Sequence, residues 1–408
     1  MRAIVIALRT FLVLCGVGVL AAIAVYAIMN VFVGLAGQRV LLDNYLFPLE
    51  QVYANAMLMV GAPVTFFSLL KNSSDAVIAS ERFLNARKLH LKAVSTSIFA
   101  TLLALALGLA LTFALSNWRG YDSMFAGRRA EWSFAEMVVT MVPANIFEPF
   151  ETISPVPLIM VALLITYALI SAGKDFDILK TAIDVCYGLF SRMLSAIMSL
   201  IPVACFLSLL DVLIRGGYKA LASMMAFLVF AVACVFVLLA TYAIRLKAKG
   251  IKVGPFVKTL KPLLRENRII GSAIDAAPYN VRYCVKHYGM NRGRVSRILS
   301  LLAQINCDAN CFLLMLIAML YVFSLGIEVT WVNVAVIAIM AVFLSFGAPN
   351  QPGTMLIGTL IILNYLNTYD MICVAIYLEV FLGGLQNITN VIGDIVMAAE
   401  EEGVRYAE

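Results

Sequence analysis

The chain has 408 residues, of which 62% are hydrophobic and only 13% are charged, and its mean hydropathy is +0.95. Soluble domains are roughly half apolar and about a quarter charged, so these proportions exclude an ordinary water-soluble body of this length. The net charge of +6 is small for the length and gives no reason to expect nucleic-acid binding. We therefore expect a polytopic membrane protein.

Apolar runs long enough to span a bilayer, which takes about 20 residues, recur along the whole chain. They predict eight transmembrane helices, within residues 4–33, 53–70, 93–114, 134–170, 189–214, 218–244, 298–323 and 372–399. Two further segments, 257–288 and 331–366, are interrupted in the middle, so neither half is long enough to span. Interruptions of this kind predict re-entrant hairpins whose tips are buried in protein.

The basic residues predict the orientation of these helices. They are concentrated in residues 71–92 and 245–268, which both follow even-numbered helices and so lie on the side of the N-terminus. By the positive-inside rule that side is cytoplasmic. We expect a multi-pass protein of the cell inner membrane with both termini in the cytoplasm, whose first apolar run is a retained helix because it lacks a cleavage signal.

The second half of the chain repeats one layout. The first interrupted segment is followed by an intact helix with Asn306 and Asp308, and the second by an intact helix with Asn390 and Asp394. If the two hairpins enter from opposite sides, the two copies have inverted topology. Inverted repeats with broken helices that meet near the bilayer midplane are a transporter architecture.

Ionisable groups at membrane depth cost at least a few kcal/mol and are usually functional. Asp308 lies in a polar cluster, residues 304–310, which predicts local unwinding and free carbonyl groups suited to Na⁺. Polar residues form a stripe on the last helix: Glu379, Gly383, Gln386, Asn390 and Asp394. Oxygen ligands of this kind favour a hard cation. The alternative is that the two buried Asp residues only lock helix packing.

Catalysis has little support in the sequence. The chain carries no Gly-rich phosphate loop and no Ser-His-Asp or Cys-His set. Most of its cysteines lie inside apolar runs, where Cys packs as a small hydrophobic residue. We expect a protein that is not an enzyme.

Five segments, in order along the chain, resemble motifs of the dicarboxylate/amino acid:cation symporter family, which includes the glutamate transporters. They are residues 57–69, 141–148, 306–310, 345–353 and 390–394. Asn-Cys-Asp-Ala-Asn at 306–310 stands where the family has Asn-Met-Asp-Gly-Thr, and Asn-Val-Ile-Gly-Asp at 390–394 where it has Asn-Val-Thr-Gly-Asp. The resemblance implies an all-α membrane fold of eight transmembrane helices plus two re-entrant helical hairpins, assembled as a homotrimer in membrane lipid.

The same resemblance implies a division of labour within each protomer. A scaffold would comprise residues 1–92 and 134–217, and a mobile transport domain residues 93–133 and 218–408. An elevator motion of the transport domain would carry a small organic solute and Na⁺, the coupling ion, across the membrane together.

The resemblance also implies ligand residues by position. Cation ligands would be the Leu302 carbonyl group with Asn306, Asn390 and Asp394 at one site, and Asp308 with Ser97 and Thr101 at a deeper one. Solute-binding positions would be Asp275, Asn310, Gln351, Glu379, Gly383, Gln386 and Asn387.

The solute positions depart from the family pattern. The family's Asp for an amino group falls at Gly383, its Arg for a side-chain carboxylate at Gln386, and its Thr at Asn387. An Arg fork binds a carboxylate through two hydrogen bonds, and Gln lacks the charge. We expect an amino acid or carboxylate other than glutamate or aspartate in the usual pose, with Glu379 or Asp275 available to hold an amine.

Two other interpretations stay open at this point. The same fold could act as a proton-coupled carrier, an ion-conducting pore or a solute sensor. A membrane scaffold without transport is the third hypothesis.

Overall fold

The computed structural model describes residues 2–82, 86–114, 139, 142–171, 176–270, 272–324, 331–347, 352–365 and 372–405. Within these ranges the regular structure is helical and contains no β-strand. The predicted all-α class is therefore confirmed.

The described helices are named here in chain order. They are α1 (Arg2–Phe32), α2 (Leu35–Leu41), a π-helical turn (Leu42–Leu46), α3 (Phe47–Arg82), α4 (Ala86–Ala114), α5 (Glu148–Glu151), α6 (Pro155–Ile170), α7 (Phe176–Met198), α8 (Ile201–Ala248), α9 (Val253–Ile270), α10 (Ala273–Tyr288), α11 (Arg292–Ile305), α12 (Asp308–Ser324), α13 (Trp331–Phe346), α14 (Thr354–Tyr365) and α15 (Ile372–Glu402).

Six helical stretches in the described part of the chain are long and apolar enough to cross a membrane. They are Val13–Phe32, Leu35–Asp75, Arg87–Leu111, Ile201–Ala248, Arg292–Val322 and Ile372–Glu402. Several apolar helices thus agree with a multi-pass membrane protein. The number of eight spans stays a prediction.

The region predicted as the fifth and sixth helices is arranged differently from the prediction. The helix expected over 189–214 is divided, because α7 ends at Met198 and α8 begins at Ile201 with Pro202 in its first turn. Proline lacks an N–H group and is tolerated in a first turn. Helix α8 then continues through Gly217, which kinks it at φ 63° and ψ −160°, a conformation open mainly to glycine.

Helix α12 lies at the centre of the molecule. Its residues 308–322 are all buried, and it contacts α4, α8, α13, α14 and α15. A helix that is apolar almost all round is a core helix, so its few polar residues are held deep inside the fold.

Two pairs of shorter helices correspond to the predicted hairpins. Helices α9 and α10 have 18 and 16 residues and contact each other, as do α13 and α14 with 16 and 12 residues. Each pair also contacts α15. Their insertion halfway into the membrane stays a prediction.

Candidate cation and solute site

The chain is interrupted between α11 and α12, within the polar cluster. Asn306 is extended, with φ −91° and ψ 102°, and its N–H group still bonds the Leu302 carbonyl oxygen at 2.8 Å. Helix α12 begins two residues later at Asp308. The predicted unwinding is confirmed, and at the break the Asn306 side chain reaches α15.

Hydrogen bonds join this interruption to α15. The Asn306 side-chain amide donates to Asp394 Oδ1 at 2.9 Å, and the Ala309 N–H group donates to Asn390 Oδ1 at 2.9 Å. The structure therefore brings together Asn306, Asn390 and Asp394, three residues that the sequence singles out on two separate helices.

Asp308 is held by α8 and by the first turn of its own helix. Its Oδ2 atom accepts the hydroxyl hydrogen bond of Tyr242 from α8 at 2.6 Å, and its Oδ1 atom accepts the N–H group of Ala309 at 3.0 Å. Tyr242 is absent from the sequence-based site, because a tyrosine in an apolar run carries no distinguishing signal. Its hydroxyl group orients the deepest carboxylate.

Gly393 shows how closely these groups approach one another. A Cβ atom at this position would lie 3.0 Å from Asn306 Nδ2, 3.1 Å from Asp308 Oδ1 and 3.1 Å from the Tyr242 hydroxyl oxygen. A side chain at this position would have to displace these polar atoms by a few tenths of an ångström. The two aspartates, the broken helix and α8 thus meet in one cluster.

The two aspartates have no cationic partner in the described part of the chain. Asp308 is 1% exposed and Asp394 4% exposed, and neither forms an ion pair with a described Lys or Arg. Arg245 acts on Asp308 through space, but its guanidinium group binds Glu400 at 2.8 and 2.9 Å. The described Lys and Arg residues thus leave the two carboxylates without a direct ion pair.

Several buried polar atoms beside the aspartates have no hydrogen-bond partner among the described residues. They are Asn306 Oδ1, Asn310 Oδ1 and Nδ2, and Ser97 Oγ. Each unpaired buried polar atom costs about 1–3 kcal/mol. Amide, hydroxyl and carboxylate oxygens together are the ligands of a hard cation such as Na⁺, so this cluster has the chemistry of a cation site.

Ser97 and Thr101 lie on the face of α4 that contacts α12. Both residues are buried, and their helix makes extensive contact with α12. The Thr101 hydroxyl group donates to the Ser97 carbonyl oxygen at 2.9 Å. The predicted partners of Asp308 are therefore close to the start of α12.

Glu379, a predicted solute position on α15, binds the backbone at the start of α14. Its two carboxylate oxygens accept the N–H groups of Gly353 at 2.9 Å and Leu356 at 2.8 Å. A Cβ atom at Gly383 would lie 2.7 Å from Glu379 Oε1. Glu379 thus caps the N-terminus of α14, a place where helices favour negative charge, and it ties that helix to α15.

The remaining predicted solute positions are spread over the surroundings of this cluster. Gln386 is buried and Asn387 half-buried on α15, whereas Asp275 is exposed in the first turn of α10. Gln351 lies outside the described residues.

A cavity of about 560 Å³ lies between α10 and α11. Its polar lining includes Arg282, Arg292, Ser296, Ser300 and Gln304. The last four recur every four residues along one face of α11, and Gln304 is two residues from Asn306. The sequence-based analysis missed this cavity, because only the packing of α10 against α11 places Arg282 beside Arg292.

The chain was compared with known proteins. A model of the sodium:dicarboxylate symporter family matches residues 5–400. The chain is 22% identical over 325 residues to the C4-dicarboxylate transport protein 1 of Pseudomonas aeruginosa (strain UCBPP-PA14), a match that covers 76% of this chain and 72% of that protein. It is 20% identical over 380 residues to the C4-dicarboxylate transport protein of Rhodopseudomonas palustris (strain BisB18), covering 91% of this chain and 84% of that protein.

Proposed function

The chain belongs to the sodium:dicarboxylate symporter family, and from this premise we propose that it is a secondary active symporter that couples Na⁺ entry to uptake of a small organic anion. Catalysis plays no part in this proposal. The solute is a carboxylate of about the size that the relatives' names indicate, a C4-dicarboxylate.

One observation carries the cation part of the proposal. Asp308 and Asp394 are buried beside oxygen atoms without partners and have no described Lys or Arg to neutralise them. A buried charge needs a partner, because isolated burial costs far more than a hydrogen bond returns. Bound Na⁺ would supply the opposite charge, and the oxygens of Asn306, Asn310 and Ser97 that have no partner would supply further ligands.

The anionic solute is supported by the cavity between α10 and α11. Gln386 stands where the family has the Arg for a carboxylate, so a carboxylate needs its cation elsewhere. Arg282 and Arg292 line the cavity, and an arginine fork suits a carboxylate. We propose that these two arginines receive the solute near the inner end of its path.

Charge neutralisation also explains why the site would move only with cation bound. Two carboxylates without counter-ions oppose transfer of the site through hydrocarbon, and each bound Na⁺ reduces that opposition. We propose that residues 93–133 and 218–408 move as a transport domain against residues 1–92 and 134–217, by an elevator motion, within each protomer of a trimer.

The test uses the purified protein in liposomes, with labelled succinate as the probe. We expect uptake driven by an inward Na⁺ gradient and none with K⁺ in its place. Uptake driven equally by a pH gradient without Na⁺ would contradict Na⁺ coupling. Current without succinate movement would contradict transport and indicate a pore.

The arginines are tested in the same assay. Arg282→Gln and Arg292→Gln are each expected to raise the succinate concentration for half-maximal uptake, because each removes a positive charge from the cavity. The control is Arg294→Gln on α11, which removes the same charge from an exposed residue paired with Glu402. Equal effects of all three variants would contradict a specific role of the cavity.

A further inference from the structure

A second group of buried acids lies where α3, α8 and the start of α15 meet. It is separate from the cation cluster, which is the group formed by Asn306, Asp308, Asn390 and Asp394. Glu50 in the first turn of α3 is 1% exposed, and Asp211 in α8 is 0% exposed. Neither belongs to a polar cluster in the sequence, and neither has a role in the proposed cation or solute site. Ionisable groups at this depth are expensive and by default functional.

The two carboxyl groups lie within hydrogen-bonding reach of each other. Among the described residues, no N–H or O–H group donates to either carboxylate oxygen of Glu50. Ionised carboxylates can only accept hydrogen bonds. The contact between Glu50 and Asp211 therefore becomes a hydrogen bond only when one of the two carries a proton.

The charges around this pair do not balance without that proton. Asp211 forms an ion pair with Arg215 one turn along α8, and the Arg215 guanidinium group lies over the ring of Phe47, 5.2 Å from its centroid. From α15, the thiol of Cys373 faces both acids. Two acids and one described cation leave one negative charge, and a buried group sheds such a charge by protonation.

We propose that Glu50 and Asp211 form a proton-binding site, in which one proton shared by the two carboxyl groups and the guanidinium group of Arg215 together cancel both acid charges. The ligand is a proton, because the existing contact between the two carboxyl groups is the geometry that a shared proton requires. The site is separate from the cation cluster and is additional to the proposed Na⁺ coupling.

The position of the pair connects proton binding with α15. The Ser208 hydroxyl group donates to the Cys373 carbonyl oxygen, so α8 is bonded directly to the first turn of α15 beside the acids. A change in the position of that turn alters the surroundings of both carboxyl groups. Because linkage between binding and conformation is reciprocal, proton binding at the pair is coupled to the position of the first turn of α15.

Infrared spectroscopy of the full-length protein in lipid nanodiscs tests the proposal, with the proton itself as probe. The carbonyl stretch of a protonated carboxyl group is compared in the wild type, Glu50→Gln and Asp211→Asn. Each substitution leaves one acid balanced by Arg215, so each is expected to remove the signal of one protonated carboxyl group. Glu401→Gln, which removes an acid paired with Lys92, is expected to remove none.

The wild-type protein supplies a result that does not depend on the folding of a variant. Its carboxyl signal is expected to diminish as the pH is raised, in Na⁺-free buffer as well as in Na⁺. Variants with the full wild-type signal would overturn the proposal. A wild type that instead binds one more Na⁺ than Glu50→Gln would overturn it too, since the occupant would then be a metal ion.

Discussion

Helix α15 carries acidic residues in two regions that differ in the partners of their carboxylates. At its C-terminal end, Glu400 binds Arg245 and Lys92, the latter at 2.8 Å, and Glu401 binds Lys92 at 2.7 Å. Two turns earlier, Asp394 has the Asn306 amide group as its hydrogen-bond partner among the described residues, at 2.9 Å. Fixed side-chain cations neutralise the first region, whereas our proposal assigns the charge of the second to a bound cation.

A third acid on the same helix separates these two cases from a purely structural one. Both carboxylate oxygens of Glu379 accept hydrogen bonds from the backbone N–H groups of Gly353 and Leu356. These partners belong to the backbone and are fixed in place. The comparison teaches that depth alone does not identify a cation ligand, and that the partner of a carboxylate decides its role.

The largest effect on Na⁺ binding is expected from loss of the Asp394 charge. Asp394→Asn is expected to weaken Na⁺ binding about tenfold to 100-fold, because a hydrogen bond or ligand contact with a charged group contributes about 1.5–3 kcal/mol. Glu401→Gln is the matched control, since it removes the same charge from the C-terminal end of the same helix. Glu401 binds Lys92 rather than a residue of the cluster, so the Na⁺ affinity of this variant should change little.

Crowding the cluster without changing its charge should have the next largest effect. Gly393→Ala places a Cβ atom against Asn306, Asp308 and Tyr242, and overpacking of about 1–2 kcal/mol predicts roughly tenfold weaker Na⁺ binding. Gly384→Ala is the control, because nothing lies within 4 Å of its added Cβ atom. Isothermal titration with Na⁺ compares the two variants, and equal affinities would show that the cluster is not the binding site.

Glu379→Gln tests whether Glu379 caps helix α14 or binds the solute. Glutamine retains one acceptor oxygen, so one N–H group of Gly353 or Leu356 loses its partner, at a cost of about 1–3 kcal/mol. We expect faster hydrogen exchange at 353–356 and a lower Tm, with Na⁺ affinity changed only slightly. Unchanged exchange together with a lost preference for amine-bearing solutes would instead assign Glu379 to the solute.

The smallest effect is expected from Lys92, which binds the C-terminal end of α15. Lys92→Met leaves Glu400 with Arg245 and removes the partner of Glu401, so we expect a loss of about 1 kcal/mol or less in stability. Na⁺ affinity and succinate uptake should stay near the wild-type values. A loss of Na⁺ binding in this variant would mean that the two regions of α15 are not independent.

The polar residues of the cation cluster could be predicted from the sequence because they interrupt long apolar runs. Asp308 and Asp394 stand out against their neighbours, and the density of polar side chains at 304–310 predicts the break that the structure has at Asn306. Tyr242 could not be predicted in this way, since its hydroxyl group matters only after α8 packs against α12.

The pair of Glu50 and Asp211 was missed for a related reason. Glu50 precedes its predicted span and Asp211 lies near the end of another, positions where acids are common, and only tertiary packing brings them together. The division of the predicted helix at 189–214 was missed because Pro202 is also compatible with the interior of a kinked helix. Local patterns predict which residues are unusual, and packing decides which of them meet.

Thermal unfolding of the purified protein in Na⁺ and in K⁺ tests the central claim most directly, because a ligand that binds the native state raises its stability. We predict that Tm rises with Na⁺ but not with K⁺ in the wild type and in Glu401→Gln, and that the rise is lost in Asp394→Asn. A rise of the same size in Asp394→Asn, or equal stabilisation by both ions in the wild type, would contradict the assignment of this cluster as a Na⁺ site.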